Sequence, residues 1–135
     1  MSNLWTAASD GDLDRVSQLF DAGHATNDAD EMGYTCLHAA SSYGHRDLIE
    51  FLLARPDVDV NVRDADGDTP LHVCEDILTA KRLLEAGAEH AALNSLGFTP
   101  ANVAREEGHA FLADFLDSLQ SEVEISDERD TKRRR

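Results

Sequence analysis

Three near-copies of one short phrase punctuate this chain and fix what it can fold into. Gly67-Asp68-Thr69-Pro70-Leu71-His72 is preceded, 34 residues earlier, by Gly33-Tyr34-Thr35-Cys36-Leu37-His38. It is followed, 30 residues later, by Gly97-Phe98-Thr99-Pro100-Ala101-Asn102. In each, a glycine turn runs into a threonine and the start of a helix, where a hydroxyl cap and an early proline are both favourable. A period of this size belongs to stacked repeats. One such unit cannot bury its apolar stripe alone, so each must lie against the next.

The chain reads as four helix–turn–helix units, at about 1–29, 30–63, 64–93 and 94–119, joined by β-hairpin-like turns. In the first, Leu4 to Ala8 forms a helix capped by Ser2 or Asn3. Gly11 ends it, and Leu13, Val16, Leu19 and Phe20 stripe a second helix closed by Gly23. No turn precedes residue 4, as suits a terminal cap. The second unit is the most regular: Thr35 caps a helix over Cys36–Ser42, Gly44 ends it, and Leu48, Ile49, Leu52 and Leu53 line the next. The loop from Arg55 to Asn61 takes one extra residue. In the third unit Leu71 and Leu83 are 12 residues apart, where the corresponding pairs elsewhere are 15 apart. Three residues, including the match to Gly44, are missing from its inter-helix turn. Its first helix is expected to stop near Glu75 and Thr79 to cap the second, leaving a dent. The fourth unit ends on Leu112, Phe115, Leu116 and Leu119, with nothing beyond to cover them. From Gln120 to Arg135 the pattern gives way to charge, and disorder is expected.

Length allows a single core without metal or disulfide staples. No apolar run approaches the roughly 18 residues that would span a bilayer, and Met1-Ser2-Asn3-Leu4-Trp5 does not look like a signal peptide. Cys36 and Cys74 read as small core residues kept reduced, which favours a cytoplasmic or nuclear location. The net charge of -15 is unevenly spread. Of 27 acids and 12 bases, five of each fall in residues 122–135, so residues 1–121 carry 22 acids against 7 bases. Such a surface repels nucleic acid and anionic membranes and attracts basic partners; it also confers plain solubility, and both readings stand.

The recurring Thr-Pro-Leu-His phrase and its spacing resemble ankyrin repeats over residues 4 to 119. The opening Leu4-Trp5-Thr6-Ala7-Ala8-Ser9-Asp10-Gly11 and the run Leu71-His72-Val73-Cys74-Glu75-Asp76 are also similar to short fungal ankyrin proteins. The resemblance implies an all-α solenoid with turns and first helices lining a concave face, no catalytic activity, no cofactor, and a protein partner. The short third unit and Ala101-Asn102 depart from the pattern and bear on how regular that face is. Family contact positions fall on Ser9 and Asp10; on Glu31, Met32 and Tyr34; on Ser42 and Tyr43; on Ala65, Asp66 and Asp68; on Glu75 and Asp76; and on Ser95, Leu96, Phe98, Glu106 and Glu107. Carboxylates and exposed aromatics at those positions suit a Lys/Arg-rich protein segment held by a monomer, as an adaptor or escort. The alternative use of Tyr34 and Phe98 is packing against neighbouring turns. A second function class is a regulatory subunit that docks on an enzyme through its convex or terminal surface, with Arg46 and Glu50 as exposed markers.

Other chemistry has little support. The resemblance gives His38 and His72 backbone hydrogen bonds between repeats, and His45 and His109 recur after the inter-helix glycine for structural reasons. No Cys-x-x-Cys or His-x-x-x-His pair points to zinc. Asp64, Asp66, Asp68 and Glu75 match positions 1, 3, 5 and 12 of a calcium loop, but Thr69 stands where such a loop needs glycine. No nucleophile elbow or phosphate loop is present. The resemblance also marks Asn27 and Asn61 as positions where relatives can be hydroxylated; turn stabilisation is the other reading. Lys132-Arg133-Arg134-Arg135 has three: a nuclear import signal, an internal mimic of a basic ligand, or a solvated charge run.

Overall fold

A computed structural model describes residues 3–119 as helices and turns. The expectations for residues 120–135, the tail and its basic run, lie outside the described residues. Eight helices follow in order: α1 (Leu4–Ser9), α2 (Leu13–Asp21), α3 (Cys36–Tyr43), α4 (Arg46–Leu53), α5 (Pro70–Val73), α6 (Ile77–Glu85), α7 (Pro100–Glu106) and α8 (110–119). Odd-numbered helices form an inner row in which α1 packs on α3, α3 on α5 and α5 on α7. Even-numbered helices form the outer row. None of the described helices is long and apolar enough to cross a membrane.

The helix starts follow from the repeated threonine. Thr35, Thr69 and Thr99 each accept a backbone N–H three residues on, while the side chain at that third position, His38, His72 or Asn102, accepts the threonine N–H in return. This reciprocal box satisfies two otherwise orphaned donors. Asn3 caps α1 through Thr6 N at 2.7 Å. The core is the seam between the rows: Leu4, Val16, Leu37, Leu48, Ile49, Leu52, Leu71, Leu83, Leu112 and Leu116 are all buried.

Two expectations for the third unit are corrected. The first helix, expected to stop near Glu75, ends two residues short of it at Val73, because Cys74 turns to an extended backbone (ψ 154°). Thr79 does not cap α6. That helix begins two residues earlier at Ile77, after Asp76, and Thr79 is buried inside it. A threonine ahead of an apolar run looks like a cap from sequence, but here packing against the second unit draws it inward. The connecting turns also contain no strand among the described residues. The outer loops are stapled by asparagine: Asn27 accepts from Asp59 N and donates to Asp57 O, while Asn61 accepts from Glu89 N and donates to Gly87 O. With both ends of each amide engaged, these two side chains act as turn stabilisers.

Candidate functional site

Three turn tips project from the stack, at 30–34, 64–68 and 94–98, and all three are built alike. Asp30 Oδ1 accepts the N–H groups of Met32 and Tyr34 at 2.9 and 3.0 Å. Asp64 serves Asp66 and Asp68 in the same way, and Asn94 serves Leu96 and Phe98. Gly33, Gly67 and Gly97 close the turns at φ of 76°, 78° and 82°, a region that disfavours a side chain. Adjacent tips are tied edge to edge, Ala65 N to Met32 O at 2.7 Å and Ser95 N to Asp66 O at 2.9 Å. The result is a ladder whose equivalent positions present Met32, Asp66 and Leu96 side by side.

The inner helices hold this ladder in place. His38 Nδ1 accepts from Thr35 N at 3.2 Å, which leaves Nε2 to donate to Asp68 O at 2.8 Å. His72 repeats the arrangement, accepting from Thr69 N at 3.1 Å and donating to Phe98 O at 2.9 Å. Burial lowers the pKa of both imidazoles below the ordinary histidine value, so they are neutral structural donors. Trp5 occupies the matching place in the first unit, and its indole Nε1 donates to Asp28 O at 3.1 Å. At the outer turn His45 Nε2 bonds Ser9 O at 2.6 Å.

The expected contact residues divide among three hollows and two remainders. Glu31, Met32 and Tyr34 meet Ser9 and Trp5 around a hollow of about 680 Å³ between α1 and the first tip. Ser42 and Tyr43 face Glu75 and Asp76 across a second, of about 440 Å³. The third, about 220 Å³, lies above one-turn α5 and brings Ser42, Asp68 and Glu75 towards Glu107 of the fourth unit. The latter two are the dent expected from the missing turn. Asp66 and Leu96 stand on the tips outside these hollows, while Asp10 and Glu106 are exposed at the ends of α1 and α7. Phe98 is 36% exposed.

Burial and pairing sort these residues further. Met32, Tyr43 and Leu96 are 59%, 62% and 76% exposed, large apolar surface left in water. Tyr34 is half-buried, its ring stacked on His38 at 5.4 Å, and burial pushes its phenol above the ordinary tyrosine value. Asp68 is half-buried and accepts from Asn94 Nδ2 at 2.9 Å. Neither lysine nor arginine stands at any of these positions. The residues not foreseen are the turn anchors Asp30, Asp64 and Asn94, and Trp5. A signal for the anchors was present: an Asp or Asn three residues ahead of each tip glycine.

The chemistry of the remaining candidates is quiet. The carboxylates of Asp64, Asp66 and Asp68 offer oxygens within 4.8 Å of one another, yet Asp64 and Asp68 already hold the turn hydrogen bonds given above. Glu75, the fourth member of the calcium count, stands apart from that cluster. Burial pushes the thiols of Cys36 and Cys74 up to about 12, so both stay protonated and poorly nucleophilic.

Residues 4–89 match the family model described as ankyrin repeats in three copies. The chain belongs to the ankyrin repeat family. An ankyrin repeat-containing protein of Schizosaccharomyces pombe is 46% identical over 107 residues, covering 78% of this chain and 51% of that protein. Ankyrin repeat domain-containing protein 39 of Homo sapiens is 44% identical over 50 residues, 37% of this chain and 27% of its own length. The chain thus spans about half the length of the first of these relatives and about a quarter of the second. Ankyrin repeats are a protein-interaction fold that generally lacks catalysis.

Proposed function

We propose that this ankyrin stack binds an extended Lys/Arg-rich segment of a partner protein along its concave face, as a monomeric adaptor or escort. The observation that carries the reading is the composition of that face. Exposed Met32, Tyr43 and Leu96 alternate with Glu31, Asp66, Glu75, Asp76, Glu106 and Glu107, with no cation among them. Carboxylates form charge-assisted hydrogen bonds with Arg and Lys, and the aliphatic stems of those residues lie well on aromatic and thioether surface. A cytoplasmic or nuclear setting suits the two free, buried thiols.

Anchors and rim charges act on different rates. Tyr43→Ala should weaken binding of an Arg/Lys-rich peptide by about 2 kcal/mol, mostly through faster dissociation. Asp66→Asn with Glu107→Gln should mainly slow association and flatten its salt dependence. Stopped-flow anisotropy with labelled peptide across a salt series separates the two effects. Absence of binding at low ionic strength would leave the acidic face with a solubilising role only.

A further inference from the structure

The outer row breaks where the inner row does not. Helix α5 returns the chain after four residues, where α3 uses eight, roughly 6 Å sooner along the helix axis. Outer helices meet less closely than inner ones, and α4 meets α6 less closely still than it meets α2. Arg82 bridges the gap by a two-pronged contact with Glu50 at 2.5 and 3.0 Å. Beside that bridge opens a cleft of about 230 Å³ whose walls include Ile49, Leu78 and Thr79.

Its charge runs against the rest of the molecule. Residues 1–121 hold only seven cations, and three of them, Arg46, Lys81 and Arg82, line this cleft together with Glu50 and Glu85. Arg82 is engaged by both glutamates. Arg46 and Lys81 make no salt bridge among the described residues; Lys81 Nζ sits 5.7 Å from the Phe115 ring centre. Leu78 beside them is 54% exposed. Thr79, 1% exposed, has a hydroxyl with no hydrogen-bond partner among the described residues, an uncommon state for a buried polar group.

We propose that this cleft docks a carboxylate-bearing, partly apolar segment of a second partner protein, giving the molecule two binding faces of opposite charge. Arg46 and Lys81 would take the carboxylates, and Leu78 the apolar side chain between them. The acidic concave face lies a helix pair away, about 20 Å. That is more than twice the Debye length of about 8 Å at physiological salt, so its repulsion is largely screened at the cleft.

The test titrates the 15N-labelled full-length chain with an amphipathic Glu/Leu peptide. Amide shifts are expected at Arg46, Ile49, Leu78 and Lys81 and not at Met32 or Leu96. The Arg46→Glu/Lys81→Glu variant should bind that peptide about tenfold or more weakly, with unchanged circular dichroism and unchanged affinity for the Arg/Lys-rich peptide of the concave face. No shifts at the cleft, or wild-type affinity in the variant, would overturn the proposal whatever the concave face does. Two controls identify rival occupants, and either result overturns it too. Shifts that grow with protein concentration alone mean a second copy fills the cleft. Shifts produced by neutralising Glu122, Glu124, Asp127 and Glu128 mean the chain's own tail does.

Discussion

At His38 and His72 one imidazole geometry closes a helix box and reaches across to the next turn. Both functions need a neutral ring, because Nδ1 must accept while Nε2–H donates. Asn102 shows which part is separable: it keeps the box with Thr99 through Oδ1, and its shorter amide makes no bond to another turn among the described residues. His72→Asn should therefore preserve the start of α5 and remove one of the two hydrogen bonds to the Phe98 carbonyl, which keeps the N–H of Asn94, costing about 0.5–1.5 kcal/mol in urea denaturation. The pH dependence has a definite sign. An unfolded imidazole takes up its proton near 6.5, whereas burial holds the folded value lower. Between those two values the unfolded chain binds more protons, so stability is full above about pH 6.5 and falls as pH drops through the window below it. Carboxylates begin to titrate only below about pH 5, which leaves that window to the histidines. Comparing about pH 7.5 with about pH 5.5, the wild type should lose more stability than His72→Asn; equal losses would contradict the assignment.

Elements, more than residues, decide how the proposed binding face is shaped, and the tip ladder is the clearest case. At Gly67 a β-carbon would stand 2.7 Å from Ser95 N and 2.8 Å from Ser95 Oγ, whereas at Gly97 it would meet nothing within 4 Å. Their φ angles are nearly equal, 78° and 82°. Gly97→Ala should thus cost only the left-handed strain, about 1–2 kcal/mol, and Gly67→Ala measurably more, because two tips must separate. Thermal melts of the two variants isolate the tip-to-tip contact. Such tips were legible in sequence through their glycines and the threonines that follow, and so were the cap role of Thr35 and the dent above α5. What escaped was set by neighbours rather than local pattern. Thr79 reads as a cap until the second unit pulls it inside. Asp68 reads as a surface acid until Asn94, 26 residues on, takes its carboxylate. The cationic cleft joins Arg46 of α4 to Lys81 of α6, 35 residues apart in the chain.

Viewed as a whole molecule, the stack is close to one-dimensional, and its shortest helix, α5, sits in the interior of the inner row. Inner packing passes from α1 to α3, then α5, then α7, so cooperation between the ends depends on nearest-neighbour contacts through α5. Leu71, 1% exposed, is the aliphatic core residue of that four-residue helix. Removing it leaves a cavity that three remaining helix positions cannot collapse to fill, so Leu71→Ala should cost about 2–5 kcal/mol. The cost should also be unequally felt. The sole tryptophan, Trp5, lies in the first unit against His24 and Asp28 and reports the end remote from the cavity, whereas far-ultraviolet circular dichroism reports every helix. In the wild type the two signals should trace one urea transition, as coupling through an intact α5 requires. In Leu71→Ala the dichroism should fall first and the Trp5 fluorescence later, because units one and two still cover each other when the link to units three and four is weakened. Two curves that move to lower urea together would mean that contacts outside the inner row carry the coupling.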